Sequence, residues 1–381
     1  VGGVPVDASA VVLNVTVTQP TGSGFLTVYP AGVLRPNASN LNFTAGQTVP
    51  NAVTVKVGSG GAVNLFNSSG CTHSIVDVVG YHAATPTTSV AGVTQIVSVA
   101  SDGTQADFDA GGPSVSGDGR YVVYSSEASN LVPGDTDNRS DVFVFDRQTA
   151  ATSRVSVASG GSQANGSSYS PAVSGDGRYV TYSSEASNLV SGDTNGIRDV
   201  FVFDRQTAVT SRVSVASGGA QANGSSYVPA VSGDGRYVAY SSEASNLVSG
   251  DTNGSQDVFV FDRQTAVTSR VSVASGGAQA DFHSEGAAIS GDGRYVVYSS
   301  DASNLVPGDT NGSQDVFVFD RQTAITSRAS VASGGIQANG SSYAPAVSGD
   351  GRYVTYSSDA SSLVPGDTNG WSDVFMLDRL G

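Results

Sequence analysis

Apolar residues in this chain fall in short alternating runs, with no helix-length stretch at helical spacing. In AVVLNVTVT, Leu13, Val15 and Val17 alternate with Asn14, Thr16 and Thr18, the pattern of a strand with one buried face. Similar runs predict strands at 10–18, 25–29, 39–43, 52–57, 62–66 and 74–81. The clusters QPTGSG, AGVLRPN, AGQTVPN, GSGG and NSSG separate them as turns. Short antiparallel strands of this kind predict a small β-sandwich-like module over residues 1–84. Residues 85–92, TPTTSVAG, made of small and β-branched types with one proline and no charge, read as a linker.

From residue 93 the pattern becomes a repeat. The turn SGDGRYV recurs every 58 residues, with its aspartate at Asp118, Asp176, Asp234, Asp292 and Asp350. A fixed long period marks a unit that buries its apolar face only against its neighbours. Each unit holds four strand candidates, which in the second copy lie at 171–174, 179–183, 199–204 and 210–216; they are called a to d. Four short antiparallel strands per unit predict a propeller blade. Residues 94–99 align with 152–157, so the domain opens on a d strand and ends on the c strand at 373–378. The expectation is an all-β protein with a five-bladed β-propeller over 93–381, in which the d strand from 93–99 closes the last blade.

Two resemblances add to this reading. The strings AVVLNVTVT, GFLTVYPAG, RPNASNLNFTAGQTVPNAVTVKVG and VDVVGYH resemble a β-module of secreted actinobacterial proteins, which implies secretion and no activity. SGDGRYVTYSS and DVFVFDRQT resemble TolB-type propeller repeats, which implies the fold of 93–381 and leaves its binding role open.

Composition narrows the partners. The net charge is −15, and Lys56 is the one lysine, so nucleic acid and anionic membranes are poor partners. No run approaches the ~18 apolar residues of a membrane-spanning helix, so no membrane insertion is expected. Cys71 stands alone and can form no intrachain disulfide. The chain begins at Val1, which reads as a mature or trimmed form.

Two loop motifs could carry chemistry, both on the face holding the long d–a and b–c loops. The b–c loop reads D-T-N-G-x-x-D at Asp193/Asn195/Asp199, Asp251/Asn253/Asp257, Asp309/Asn311/Asp315 and Asp367/Asn369/Asp373. Its first copy is Asp135/Asp137/Asp141. Alternating oxygen ligands followed by a carboxylate suit Ca²⁺; turn formation by Asn-Gly and capping by Asp explain the same residues without a metal. The d–a loop reads Q-A-N-G-S-S-Y, giving Gln163/Asn165/Tyr169, Gln221/Asn223/Tyr227 and Gln337/Asn339/Tyr343. Amides beside an aromatic ring suit a sugar, whose hydroxyls they bond and whose C–H face the ring covers. The alternative is that the amides tie down the loop while tyrosine packs between blades. The remaining copies read QADFDAG and QADFHSEG and break the symmetry.

Catalysis finds little support in a chain with three histidines and nearly equal blades. Asp107, Asp109, Asp281 and Glu285 are the acids that depart from the repeat. The expected function is therefore a secreted, lectin-like binding protein that recognises carbohydrate or cell-wall polymer multivalently. A scaffold for other extracellular protein chains and a five-bladed glycosidase are the alternatives.

Overall fold

The structure, a computed structural model, describes Val4 and residues 8–58, 61–83 and 94–380; the linker expected at 85–92 lies outside them. The chain divides into two compact units, Val1–Gln95 and Ile96–Gly381. Among the described residues every regular element is a strand, and no helix is long and apolar enough to cross a membrane.

The first unit holds β1 (Ala8–Thr18), β2 (Gly24–Pro30), β3 (Leu41–Phe43), β4 (Val49–Lys56), β5 (Val63–Asn67) and β6 (His73–Ala83). They form two three-stranded antiparallel sheets, β4-β1-β6 and β3-β2-β5. The alternation read in β1 sets the core. Val11, Leu13, Val15 and Val17 meet Leu26, Val28, Leu41, Phe43, Val53 and Val55 between the sheets, the arrangement of a sandwich. Cys71 is exposed and free.

The second unit holds the repeats. Blade 1 is β7 (Ala110–Val115), β8 (Tyr121–Ser126), β9 (Asp141–Asp146) and β10 (Ala151–Arg154). Blade 2 is β11 (Ser168–Val173), β12 (Tyr179–Ser184), β13 (Asp199–Asp204) and β14 (Val209–Arg212). Blade 3 is β15 (Ser226–Val231), β16 (Tyr237–Ser242), β17 (Asp257–Asp262) and β18 (Val267–Arg270). Blade 4 is β19 (Ser284–Ile289), β20 (Tyr295–Ser300), β21 (Asp315–Asp320) and β22 (Ile325–Arg328). Blade 5 is β23 (Ser342–Val347), β24 (Tyr353–Ser358) and β25 (Asp373–Asp378). Each blade is an antiparallel sheet in chain order, which is the propeller architecture expected from the period.

Neighbouring blades are joined in the same way each time. One face of a blade presents Val142 and Val144, or their equivalents. The next blade covers them with Val173, Val180, Tyr182, Phe201 and Phe203. A backbone spine runs through the a–b turns, from Gly117 N to Gly175 O, Gly233 N to Gly291 O and Gly291 N to Gly349 O, at 2.8–2.9 Å. The Tyr121 ring packs on the Cα of Gly177, where φ is +72° and a side chain would overlap the ring. Arg205 of blade 2 then covers that ring from 3.8 Å. The same tyrosine–glycine–arginine clamp joins blades 2 to 5, with Arg263, Arg321 and Arg379 at 3.9 Å from their rings. The Asp-Gly turn therefore does more than close a hairpin.

One expectation is corrected. The fifth sheet has three strands, and residues 94–97 take no regular structure beside β25. Val99 instead makes a single bridge with Gln105. The end faces stay open: Val374 is 79% and Met376 65% exposed, and Val115 is 57% exposed against 8% for Val173. The sequence differs at the same place. In the first four blades an arginine on strand d is drawn onto two carboxylates of the b–c loop, as described below. The residue that aligns with it ahead of blade 1 is Ile96, which is 51% exposed.

Candidate functional site

The b–c loops are organised around arginine. Arg212 Nη1 lies 3.0 Å from Asp193 and 3.2 Å from Asp199. Arg154, Arg270 and Arg328 bridge their own pairs at 2.8–3.3 Å. Asp199, Asp257 and Asp315 are fully buried, and each also accepts from a serine on the strand behind, such as Ser214 to Asp199 at 2.5 Å. Asn195, Asn253 and Asn311 donate to those same aspartates at 3.0–3.2 Å. A guanidinium thus supplies the positive charge at the place where a calcium ion was considered. Burial raises Asp193, Asp251 and Asp309 above the ordinary carboxyl range, with arginine opposing it.

The first and last copies differ. Asp135, Asp137 and Asp141 bring carboxylate oxygens within 4.8 Å of one another. Gln163 Nε2 donates to all three, at 2.9, 2.8 and 3.3 Å, and Arg154 reaches two. Burial is the main cause that pushes Asp141 up to about 6. In blade 5, Asn369 donates to Asp373 at 2.9 Å. Asp367 and Asp373 line an open pocket of about 530 Å³ beside β25, without an arginine.

The d–a loops divide the predicted ligand residues into two groups. The amides turn toward the neighbouring loops. Gln221 Nε2 donates to Thr194 Oγ1 at 2.9 Å, and Gln337 Nε2 to Asp309 at 2.8 Å. Asn165 joins Ser187, Asn223 joins Ser245, and Asn339 joins Ser361, at 3.0–3.1 Å through their Nδ2. Asp107 and Asp281 do the same work in the variant copies, each accepting from the backbone and hydroxyl of Ser129 or Ser303.

The tyrosines turn the other way. Tyr169, Tyr227 and Tyr343 each stand second in strand a, just before a bulge. The following residues, Ser170, Val228 and Ala344, take left-handed φ of 52°, 45° and 50°, a conformation that costs a non-glycine residue about 1–2 kcal/mol. Proline comes next in these three copies, where the broken ladder needs no N–H.

Tyr227 and Tyr343 line a pocket of about 430 Å³ with Glu243, Gln256 and Glu285. Tyr227 donates to Glu243 Oε1 at 3.2 Å, and Gln314 Nε2 approaches Glu285 at 3.5 Å. Ser241, 1% exposed, lines the same pocket, and its hydroxyl has no partner in the protein. The sequence reading did not bring Gln256 or Ser241 to a ligand site. Their signal was weak: Gln256 stands where the previous repeat has Arg198, and Glu285 where it has Tyr227.

These sheets and this pocket define an all-β repeat protein with a concave polar–aromatic site. No protein-family model matches the chain, and no curated protein matches it. Solved structures do. A TolB of Agrobacterium tumefaciens is 15% identical with a TM-score of 0.44, over 72% of this chain and 78% of that one. TolB of Acinetobacter baumannii is 13% identical with a TM-score of 0.42, over 99% of this chain and 63% of that one. An oligogalacturonate lyase in complex with manganese is 10% identical with a TM-score of 0.44, over 68% and 62%.

Proposed function

We propose that this is a secreted, non-enzymatic binding protein that takes a carbohydrate or cell-envelope polymer in the pocket of blades 3 to 5. The observation that carries the reading is the lining. Two phenol rings, two carboxylates and an amide converge on about 430 Å³, a volume and mixture suited to a polyhydroxylated ligand. Rings cover sugar C–H faces, and the acids and amide bond hydroxyls. The blades are unequal at this position, so the reading favours one main pocket over several equal ones. It needs no metal, because arginine already supplies the positive charge to the b–c carboxylates of four blades. Secretion is part of the proposal through the resemblance of residues 1–84.

The test is calorimetric titration of the whole chain with soluble cell-wall oligosaccharides. Tyr227→Ala and Tyr343→Ala are expected to weaken binding about tenfold each, in line with the loss of an aromatic contact of about 1.4 kcal/mol. Tight binding untouched by both changes would sink the reading. Release of reducing sugar during the titration would overturn its non-enzymatic part, since Glu243 and Glu285 line one pocket. A protein-interaction role is the second reading, favoured by the exposed Trp371, Val374 and Met376 on the last blade. Mass that rises with concentration and falls on Met376→Lys would support it.

A further inference from the structure

Within the repeat, one copy of the pocket is already filled. Arg198 of blade 2 lies with its guanidinium carbon 4.9 Å from the Tyr169 ring and 5.5 Å from the Tyr227 ring. Its Nη2 donates to Glu185 Oε1 at 2.5 Å. Two rings and a carboxylate thus form a cage around a cation, with the chain's own side chain as the occupant.

One repeat further on, the cage recurs without its cation. Gln256 replaces Arg198, Glu243 replaces Glu185, Tyr227 replaces Tyr169, and Glu285 replaces the second ring. These four residues line the pocket described above, with Tyr343 closing its other side. The exchange removes one positive charge and adds one negative charge. None of the lining residues is basic. The other titratable groups nearby are Arg198, whose guanidinium carbon lies 5.5 Å from the Tyr227 ring; Asp359, which accepts from the Tyr343 hydroxyl at 3.2 Å; Asp301, which burial and then Glu285 hold above the ordinary carboxyl range; and His283, whose Nδ1 accepts from Gln256 N at 3.1 Å. Ser241 offers a buried hydroxyl with no partner.

We propose that this pocket binds a positively charged nitrogen, ammonium or guanidinium, between the Tyr227 ring and the carboxylates of Glu243 and Glu285. The proposal rests on the reading of the pocket as the ligand site and names the ligand class: a saccharide with free amino groups. A cation attracts the face of the ring and both carboxylates at once, and Ser241 Oγ can accept one of its N–H bonds. A neutral sugar uses the same groups but leaves the two carboxylates that line the pocket without a counter-charge.

The experiment is calorimetry on the whole chain with three probes: the hexamer of β-1,4-linked glucosamine, its fully N-acetylated form, and the capped peptide Gly-Arg-Gly. Ionic strength is held near physiological, where attraction by the overall negative charge is screened beyond about 8 Å. The glucosamine hexamer is expected to bind at least about tenfold more tightly than its acetylated form, the scale of one charge-assisted contact. Gln256→Arg recreates the filled cage of blade 2, where the same side chain is accommodated, and is expected to abolish binding. Arg198→Gln empties the first cage and is expected to add a second site to the stoichiometry. Equal binding of both hexamers keeps the carbohydrate reading and overturns the cation. Binding of the peptide alone, lost in Gln256→Arg, keeps the cation and overturns the carbohydrate. Binding of no probe by the folded chain overturns both.

Discussion

The clamp between blades makes a prediction with its own control. Gly177 and Gly119 sit at the same place in the a–b turn, with φ of +72° and +70°. A Cβ on Gly177 would overlap the Tyr121 ring, far inside the ~3.5–4.0 Å optimum for carbon–carbon contact. A Cβ on Gly119 would meet only Arg147 Nη1, at 3.6 Å, because blade 5 is not seated there. Gly119→Ala therefore reports backbone strain alone. Left-handed φ costs alanine about 1–2 kcal/mol. The reduced freedom of the unfolded chain returns about 0.4–1 kcal/mol. The net loss is about 1 kcal/mol. Gly177→Ala adds displacement of a packed ring, typically about 1–3 kcal/mol, for a total of about 2–4 kcal/mol. Tyr121→Ala in that background should remove the overlap, so the double change should cost less than the sum of the singles. Urea unfolding of the full chain, read at constant m-value, measures all four forms. Equal losses for Gly119→Ala and Gly177→Ala would refute the reasoning. They would also mean that Tyr353 is seated on Gly119 and that blades 5 and 1 meet.

Two further outcomes follow from the charges. Arg212→Ala leaves Asp193 and Asp199 buried without a guanidinium and is expected to cost about 3–5 kcal/mol in urea unfolding; the intact chain should melt at the same temperature in calcium and in EDTA, and a clear rise in Tm with calcium would refute the arginine-centred account. On the opposite face, Arg178, Arg236, Arg294 and Arg352 hold Asp204, Asp262, Asp320 and Asp378 down to about 2. Their folded-state values lie below the unfolded ones, so this stability is present above about pH 4 and is lost as pH falls through about 2; circular dichroism should show the chain folded at pH 4 and unfolding near pH 2–3, and unfolding complete by pH 5 would contradict it.

Most of the fold was legible because a repeat states the same instruction five times. Alternation in AVVLNVTVT placed one face of β1 in the core, and the 58-residue period placed the blades. Strand c was read at 199–204, where β13 lies. Strand d was read as 210–216, but β14 ends at Arg212; just beyond it the Ser214 hydroxyl, not a backbone carbonyl, accepts from Val200 N at 3.1 Å. Closure by residues 93–99 was read from alignment of apolar positions. The structure pairs no strand from that segment with β25, and Ile96 stands where the other d strands carry arginine.

The site was less legible for a physical reason. Gln163, Asn165 and Tyr169 share a loop, yet the direction of each side chain is decided by other loops distant in sequence. Asn165 meets Ser187, Gln163 meets Asp135 and Asp137, and Tyr169 meets Arg198. A loop motif alone cannot separate groups that hold the scaffold from groups that face a ligand. The repeat can. Positions constant in every blade, such as the clamp tyrosine and glycine, serve packing at each of the four blade junctions described. A position that changes while the backbone stays the same is released from that duty. Arg198, Gln256, Gln314 and Ser372 form one such series, and Tyr169, Tyr227, Glu285 and Tyr343 another. Gln256 of the first series meets Tyr227, Glu285 and Tyr343 of the second in one pocket. In a protein of near-identical units, the ligand therefore has to be sought where the units disagree.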